Sequence, residues 1–158
     1  INISMKKIDA LTRWLVRTLQ RDSKTTVGVM ARGAGVRKNT ICDRLFRLRQ
    51  QGVITGYTIT IDPNKLGYEV SGHALISLIS NRTEYLTFFE EIMKSWPEVA
   101  ECYLVKGNDD FMIKYFVKNY EDEDKLIRRI ANMENVQSIR AFQSIRESFS
   151  RGADPGYE

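Results

Sequence analysis

Basic and amide side chains recur between residues 37 and 47, at a spacing that suits contact with a nucleic acid. Arginine pairs bidentately with guanine or with phosphate, and asparagine pairs with adenine. The helical period of 3.6 residues would place much of this set on one side of a helix. The candidate contacts are Arg37, Lys38, Asn39, Thr40, Asp43, Arg44 and Arg47. This pattern predicts a duplex DNA-binding surface on a single helix.

Asp43 interrupts the basic set, and two interpretations of it stay open. A carboxylate repels phosphate, so Asp43 can indicate base reading, in which it accepts a hydrogen bond from a cytosine amine. Alternatively, Asp43 pairs with Arg47 four residues later on the helix. The local ion pair is the favoured interpretation.

The charge of the chain is divided unevenly. The 158 residues carry a formal net charge of +4. Residues 1–56 contribute +9, from twelve Lys and Arg against three Asp and Glu, whereas residues 57–158 contribute −5. This asymmetry favours two domains with different partners, the basic one suited to a polyanion. A solvated basic face without a partner is the plainer alternative.

Three helices must position the basic set. Leu11, Leu15 and Leu19 recur every four residues after Asp9, a suitable N-cap, and predict a first helix that ends at 22–23. A second helix is expected over 26–33 and a third over 38–50. A glycine turn at 33–35 joins the last two, as in a helix-turn-helix whose second helix enters the major groove. The alternating, β-branched run VITGYTITID at 53–62 predicts a strand.

The remainder alternates between strands and helices. Strands are predicted at 70–80, 99–106, 111–118 and 136–148, and helices at 83–96 and 120–133. The order βαββαβ is that of a ferredoxin-like domain. The sequence therefore predicts an α+β chain, with a winged-helix-like helix-turn-helix domain at 1–54, a strand and linker at 55–67, a ferredoxin-like domain at 68–148, and a disordered or extended tail at 149–158.

Composition argues against several other classes of protein. The longest apolar-rich run, HALISLIS at 73–80, is too short to span a bilayer, and no signal-peptide pattern follows Lys6 and Lys7. Cys42 and Cys102 are too few for a disulfide framework or a metal site. No phosphate loop or catalytic triad pattern is present in the sequence. We therefore expect a cytoplasmic protein that is not an enzyme and has no cofactor, metal or membrane partner.

Taken together, the motifs resemble the Lrp/AsnC family of leucine-responsive and asparagine-responsive transcriptional regulators. The resemblance covers residues 8–146, and it includes LQRDSK at 19–24, IDPNKLG at 61–67 and PEVAECYLVKGNDDF at 97–111. Single positions also match around the third helix, namely Gly35, Arg44, Arg47, Leu48, Gly52, Val53, Ile54, Gly56 and Tyr57.

The resemblance implies assembly and a ligand. Family members form dimers through their C-terminal sheets, often octamers, and many sense an amino acid. The corresponding positions here are Lys106, Gly107, Asn108, Asp110, Ile139 and Ala141. In this chain Ile139 and Ala141 stand where the family often has threonines, Arg37 replaces a usual serine cap, and Gly28 and Gly33 depart from the family's second helix.

The main hypothesis is a sequence-specific DNA-binding transcriptional regulator that assembles through its C-terminal domain and responds to an amino acid. One alternative is an effector-blind architectural protein that coats DNA. Another is a small-molecule-binding regulatory module, because ferredoxin-like domains host many activities.

Overall fold

The computed structural model describes residues 8–155. The first seven residues of the predicted N-terminal domain and the last three of the predicted tail lie outside this range. The chain forms two compact units, one from Ile1–Thr60 with Phe149–Glu158 and the other from Ile61–Ser148. The units meet between Thr60 and Ile61, and the tail belongs to the first unit.

Three helices form the first unit: α1 (Ala10–Arg21), α2 (Val27–Ala34) and α3 (Lys38–Gln50). Asp9 caps α1 as predicted, since its carboxylate accepts from the N–H of Thr12 at 2.8 Å. Gly35 ends α2 with φ +66°, a conformation that glycine adopts without strain. The helices enclose a small core of Leu15, Met30, Ala31 and Ile41.

The predicted strand at 53–62 is not formed. Within residues 8–155 this segment joins no sheet, and its ordered backbone bonds include those from the N–H groups of Val53 and Ile54 to the carbonyl of Leu48. Ile59 and Ile61 remain 74% and 59% exposed. Alternation of β-branched residues favours extended backbone, but a strand also needs a neighbouring edge to accept its hydrogen bonds. Within residues 8–155 this segment has no such partner, so alternation alone does not make it a strand.

The second unit has the predicted ferredoxin-like order. Its elements are β1 (Val70–Leu78), α4 (Thr83–Ser95), β2 (Val99–Leu104), β3 (Phe111–Val117), α5 (Tyr120–Ala131) and β4 (Val136–Gln143). The sheet is antiparallel in the order β2-β3-β1-β4. Strands β1, β2 and β4 end earlier than predicted, at residues 78, 104 and 143.

Alternation along the two central strands separates a covered face from an open face of this sheet. On β1, residues Val70, Ala74, Ile76 and Leu78 are buried, whereas the intervening residues are half-buried. The buried set packs with Phe89 and Met93 of α4 and with Leu126 and Ile130 of α5. The helices therefore cover one face of the sheet, and the half-buried residues that alternate with the buried ones point to the other, open face.

Candidate functional site

Helix α3 is placed so that its outer surface faces solvent. Ile41 and Leu48 are 0% and 4% exposed and form its inner stripe. The N-terminal end begins after Arg37, which makes no side-chain capping bond. Six of the seven predicted DNA contacts are exposed, namely Arg37, Lys38, Asn39, Thr40, Asp43 and Arg47. The structure therefore brings most of the predicted set onto one accessible surface.

Arg44 is the exception among the predicted contacts. Its guanidinium forms an ion pair with the carboxylate of Asp9 and donates to the hydroxyl of Thr12 at 3.1 Å. The Arg44 side chain is 31% exposed. It joins α3 to the first turn of α1 and helps to hold these two helices together, and its role as a base or phosphate contact stays a prediction.

The electrostatics around Asp9 follow from this junction. The backbone N–H of Thr12, the Thr12 hydroxyl and Arg44 together lower the pKa of Asp9 from 3.8 to about 2. Asp9 is thus fully ionised at neutral pH, which stabilises both the N-terminus of α1 and the guanidinium beside it.

Asp43 does not form the favoured ion pair with Arg47. Among residues 8–155, the ion pairs found do not include one between these two exposed side chains. The carboxylate is therefore available on the outer surface of α3. The other interpretation, in which Asp43 faces a base edge, stays a prediction.

The C-terminal tail contacts α1, whereas the sequence suggested disorder or an extended arm. Arg17 donates to one carboxylate oxygen of Asp154 from Nε at 3.2 Å and from Nη2 at 2.7 Å. Gln20 donates to the carbonyl of Ala153 at 2.8 Å. Residues 149–155 form neither a helix nor a strand. Polar side chains hold the tail on α1, so the apolar periodicity of the sequence showed no sign of this contact.

The candidate ligand loop is anchored to β1 through Asp110. The Leu78 N–H donates to the Asp110 carboxylate at 2.7 Å, and the Asp110 N–H donates to the carbonyl of Ile76 at 2.9 Å. Lys106, Gly107 and Asn108 are exposed. One oxygen of Asp110 is thus committed to the backbone.

Strand β1 lies between the predicted loop and the two predicted positions on β4. Ile76 pairs with Phe111, next to Asp110, on one side and with Ile139 on the other. Ile139 is half-buried against the core, whereas Ala141 is exposed. Only Ala141 of this pair therefore offers a position where a ligand could be met without disturbing the core.

Asp109 links the same loop to β4, and the sequence did not predict this contact. Asp109 accepts from the hydroxyl of Ser77 at 3.1 Å and pairs with Arg140 at 2.5 Å. The Asp109 side chain is only 12% exposed. The partners of Asp109 lie 32 and 31 residues away in the sequence, so no local pattern predicts the contact.

Phe46 and Gln50 also escaped sequence reasoning, although both lie on the exposed side of α3. Phe46 is 64% exposed. The sequence indicated the exposure of Phe46 only through its position on the helix, three residues after Asp43.

The part of the chain that the structure describes holds no cluster of three or more His, Cys, Asp or Glu side chains able to bind a metal ion. Nor does any helix there have the length and apolar character required to cross a membrane.

The chain is similar in sequence and in structure to known regulators. Residues 73–153 match the family model of the Lrp/AsnC ligand binding domain. The regulatory protein AsnC of Haemophilus influenzae is 30% identical over 96% of this chain and 100% of its own length. The structure of E. coli AsnC superposes with a TM-score of 0.82 at 28% identity, covering 94% of this chain and 99% of that one.

A third similar protein has a bound ligand. The feast or famine regulatory protein from M. tuberculosis, complexed with L-methionine, superposes with a TM-score of 0.82 at 27% identity over 94% of this chain and 99% of that one. These similarities confirm the resemblance in motifs and in the order of elements. The chain is a transcriptional regulator of the Lrp/AsnC family.

Proposed function

We propose that this regulator binds specific duplex DNA sequences through the outer surface of α3. The observation that carries the proposal is the exposure of Arg37, Lys38, Asn39, Asp43 and Arg47 on one helix of a basic unit. Cations favour phosphate by releasing counterions, whereas the amide and carboxylate suit base edges. Relatives that are transcriptional regulators support this role.

Selection of bound sequences from random DNA tests the proposal. The selected duplex should compete at least about 10³-fold better than random DNA at fixed salt. A ratio below about 10 would favour the architectural alternative. Arg47→Ala should weaken binding, by roughly 1–3 kcal/mol at one operator position if it reads a base, or uniformly if it contacts phosphate. Arg128→Ala, an exposed cation of α5, is the charge-matched control and should bind as the parent does.

We infer that an amino acid modulates this activity through the loop of residues 106–110. Support comes from the relative that binds L-methionine and from the open space around Gly107, where an added Cβ would meet no atom within 4 Å. A backbone that is open on this side can approach a ligand closely. Asp110 could accept from an ammonium group through its second oxygen.

Calorimetric titration with L-methionine, then with a pool of amino acids, tests this inference. Gly107→Val should weaken binding by occupying the approach, and Ala141→Thr should strengthen it by adding a hydroxyl at an exposed position. Both variants should retain the parent's melting temperature, because neither site is tightly packed. The inference fails if no amino acid binds the parent, or if Gly107→Val binds as the parent does.

We propose that the partner in assembly is a second copy, which packs on the open face of the sheet. This face combines apolar side chains with neighbouring ion pairs, such as Lys114 with Glu147 at 3.1 Å. Tyr103 and Phe142 on its outer strands are 49% and 52% exposed. Its central apolar members are Leu75, Met112 and Phe116. Apolar surface of this kind favours association with a matching surface.

A further inference from the structure

A large apolar side chain stands on the otherwise polar outer surface of α3. Phe46 is 64% exposed, whereas Ile41 and Leu48 on the inner stripe are almost fully buried. At 3.6 residues per turn, Phe46 lies about 150° around the helix from that stripe. It therefore contributes little to the core of its own unit.

Phe46 continues a line of side chains that starts at the N-terminal end of the helix. Asn39, Asp43 and Phe46 occupy positions i, i+4 and i+7, which lie one above another on a single helical face. All three are exposed. Seven residues rise about 10 Å along a helix, so the three side chains of a helix in the major groove are spread along the floor of the groove.

The chemistry of this line suits base edges more than the phosphate backbone. None of the three side chains is a cation, and the Asp43 carboxylate would be repelled by phosphate. Asparagine pairs with adenine, a carboxylate accepts from the cytosine amine, and an apolar side chain contacts the C5 methyl of thymine. The cations Arg37 and Arg47 lie beyond the two ends of the line along the helix axis and suit phosphates.

We propose that Phe46 is a specificity-determining residue, which selects thymine at one operator position by packing against its C5 methyl group. The proposal rests on the proposed function, since it requires α3 to enter the major groove. Phe46 carries no charge and extends beyond the residues that the basic pattern singled out. Its contribution is to sequence preference, with little effect on binding to random DNA.

Replacement of thymine by deoxyuridine isolates the methyl group. In the selected operator, each thymine is replaced in turn, and the dissociation constant is measured at fixed salt for the full chain. One position should lose about fourfold in affinity, the factor that corresponds to burial of one methyl group. For Phe46→Ala the thymine and deoxyuridine operators should bind equally, while affinity for random DNA stays at the parent's value.

Val29→Ala is the matched control, because Val29 is a 49% exposed apolar side chain on α2. It should keep the preference for thymine at the position that Phe46 reads. The proposal is overturned if the parent prefers its operator but tolerates deoxyuridine everywhere, or if Phe46→Ala retains the preference. If the parent protein shows no preference for the operator over random DNA, the proposed function itself is overturned. A change in sedimentation of Phe46→Ala, with no effect of deoxyuridine, would assign Phe46 to contact between copies and also overturn the proposal.

Discussion

At the scale of single residues, the partner of a side chain decides its role more than its type does. Arg44 and Arg47 are alike in type and lie three residues apart, yet Arg44 is paired with Asp9 and Arg47 is exposed. An exposed ion pair alone stabilises a protein by about 0–1 kcal/mol. Here the same carboxylate also caps α1, so the junction joins two weak effects.

Substitution of Asp9 separates these two effects. Asp9→Ala should lower the free energy of unfolding by about 1–2 kcal/mol at pH 7 through loss of the cap. Asp9→Asn keeps a capping oxygen and should cost less than about 1 kcal/mol, through loss of the ion pair. Urea unfolding measures both. If Arg44→Ala keeps full stability but weakens DNA binding, Arg44 contacts DNA after all.

The lowered pKa of Asp9 also sets a pH dependence. Because the pKa falls from 3.8 to about 2 on folding, the stabilisation is complete above about pH 4 and is lost as the pH falls from there towards 2. Asp9→Asn should lack this contribution in the same window. Equal pH dependence of the parent and Asp9→Asn between pH 4 and 2 would show that the junction does not stabilise the fold.

At the scale of elements, α2 has two glycines in different surroundings. A Cβ on Gly28 would meet the flexible side chain of Lys38 at 3.5 Å. A Cβ on Gly33 would lie 2.9 Å from Trp14 of α1, closer than real contacts allow. Gly33 therefore permits the close approach of α1 and α2.

The two glycines should respond in opposite directions to alanine. Gly28→Ala should raise the free energy of unfolding by up to about 1 kcal/mol, because alanine favours helix. Gly33→Ala should lower it by roughly 1–3 kcal/mol through overpacking against the indole ring. Trp14→Phe removes the atoms that clash, so Gly33→Ala should be tolerated in that background. An equal loss in both backgrounds would refute the packing explanation.

The tail is attached to α1 by exposed polar contacts, which predicts easy release. The side chains of Arg17 and Asp154 are 47% and 56% exposed, and such pairs are screened by salt. Asp154→Ala should change stability by less than about 1 kcal/mol and yet increase trypsin cleavage after Arg151. Glu147→Ala, which removes a carboxylate paired elsewhere, is the control and should cleave as the parent does. Cleavage that ignores Asp154 would show that this contact does not hold the tail.

At the scale of the whole molecule, assembly is the property to test. Phe142→Glu places a charge on the open face of the sheet and should reduce the sedimenting species to monomers. Phe88→Glu alters a similarly exposed ring on α4, 57% against 52%, and should leave dimers intact. Dissociation by Phe88→Glu but not by Phe142→Glu would place the contact between copies on the helical side.

The sequence by itself determined the helices, the four strands of the ferredoxin-like unit and the location of the basic surface. Leu11, Leu15 and Leu19 and the alternation along β1 carry this information, because helical and strand periods are local properties. The family resemblance followed from the same local stretches. Six of the seven proposed DNA contacts needed only the knowledge that α3 is a helix with Ile41 and Leu48 inside.

Only the tertiary structure decided which of these groups meet. Arg44 finds Asp9 at a separation of 35 residues, Arg140 finds Asp109 at 31, and Asp154 finds Arg17 at 137. The segment at 53–62 has the composition of a strand but pairs with no strand among residues 8–155. Periodicity specifies the direction in which a side chain points along its own element. Which side chains form ion pairs depends on how separate elements pack in space, and local sequence patterns do not specify that packing.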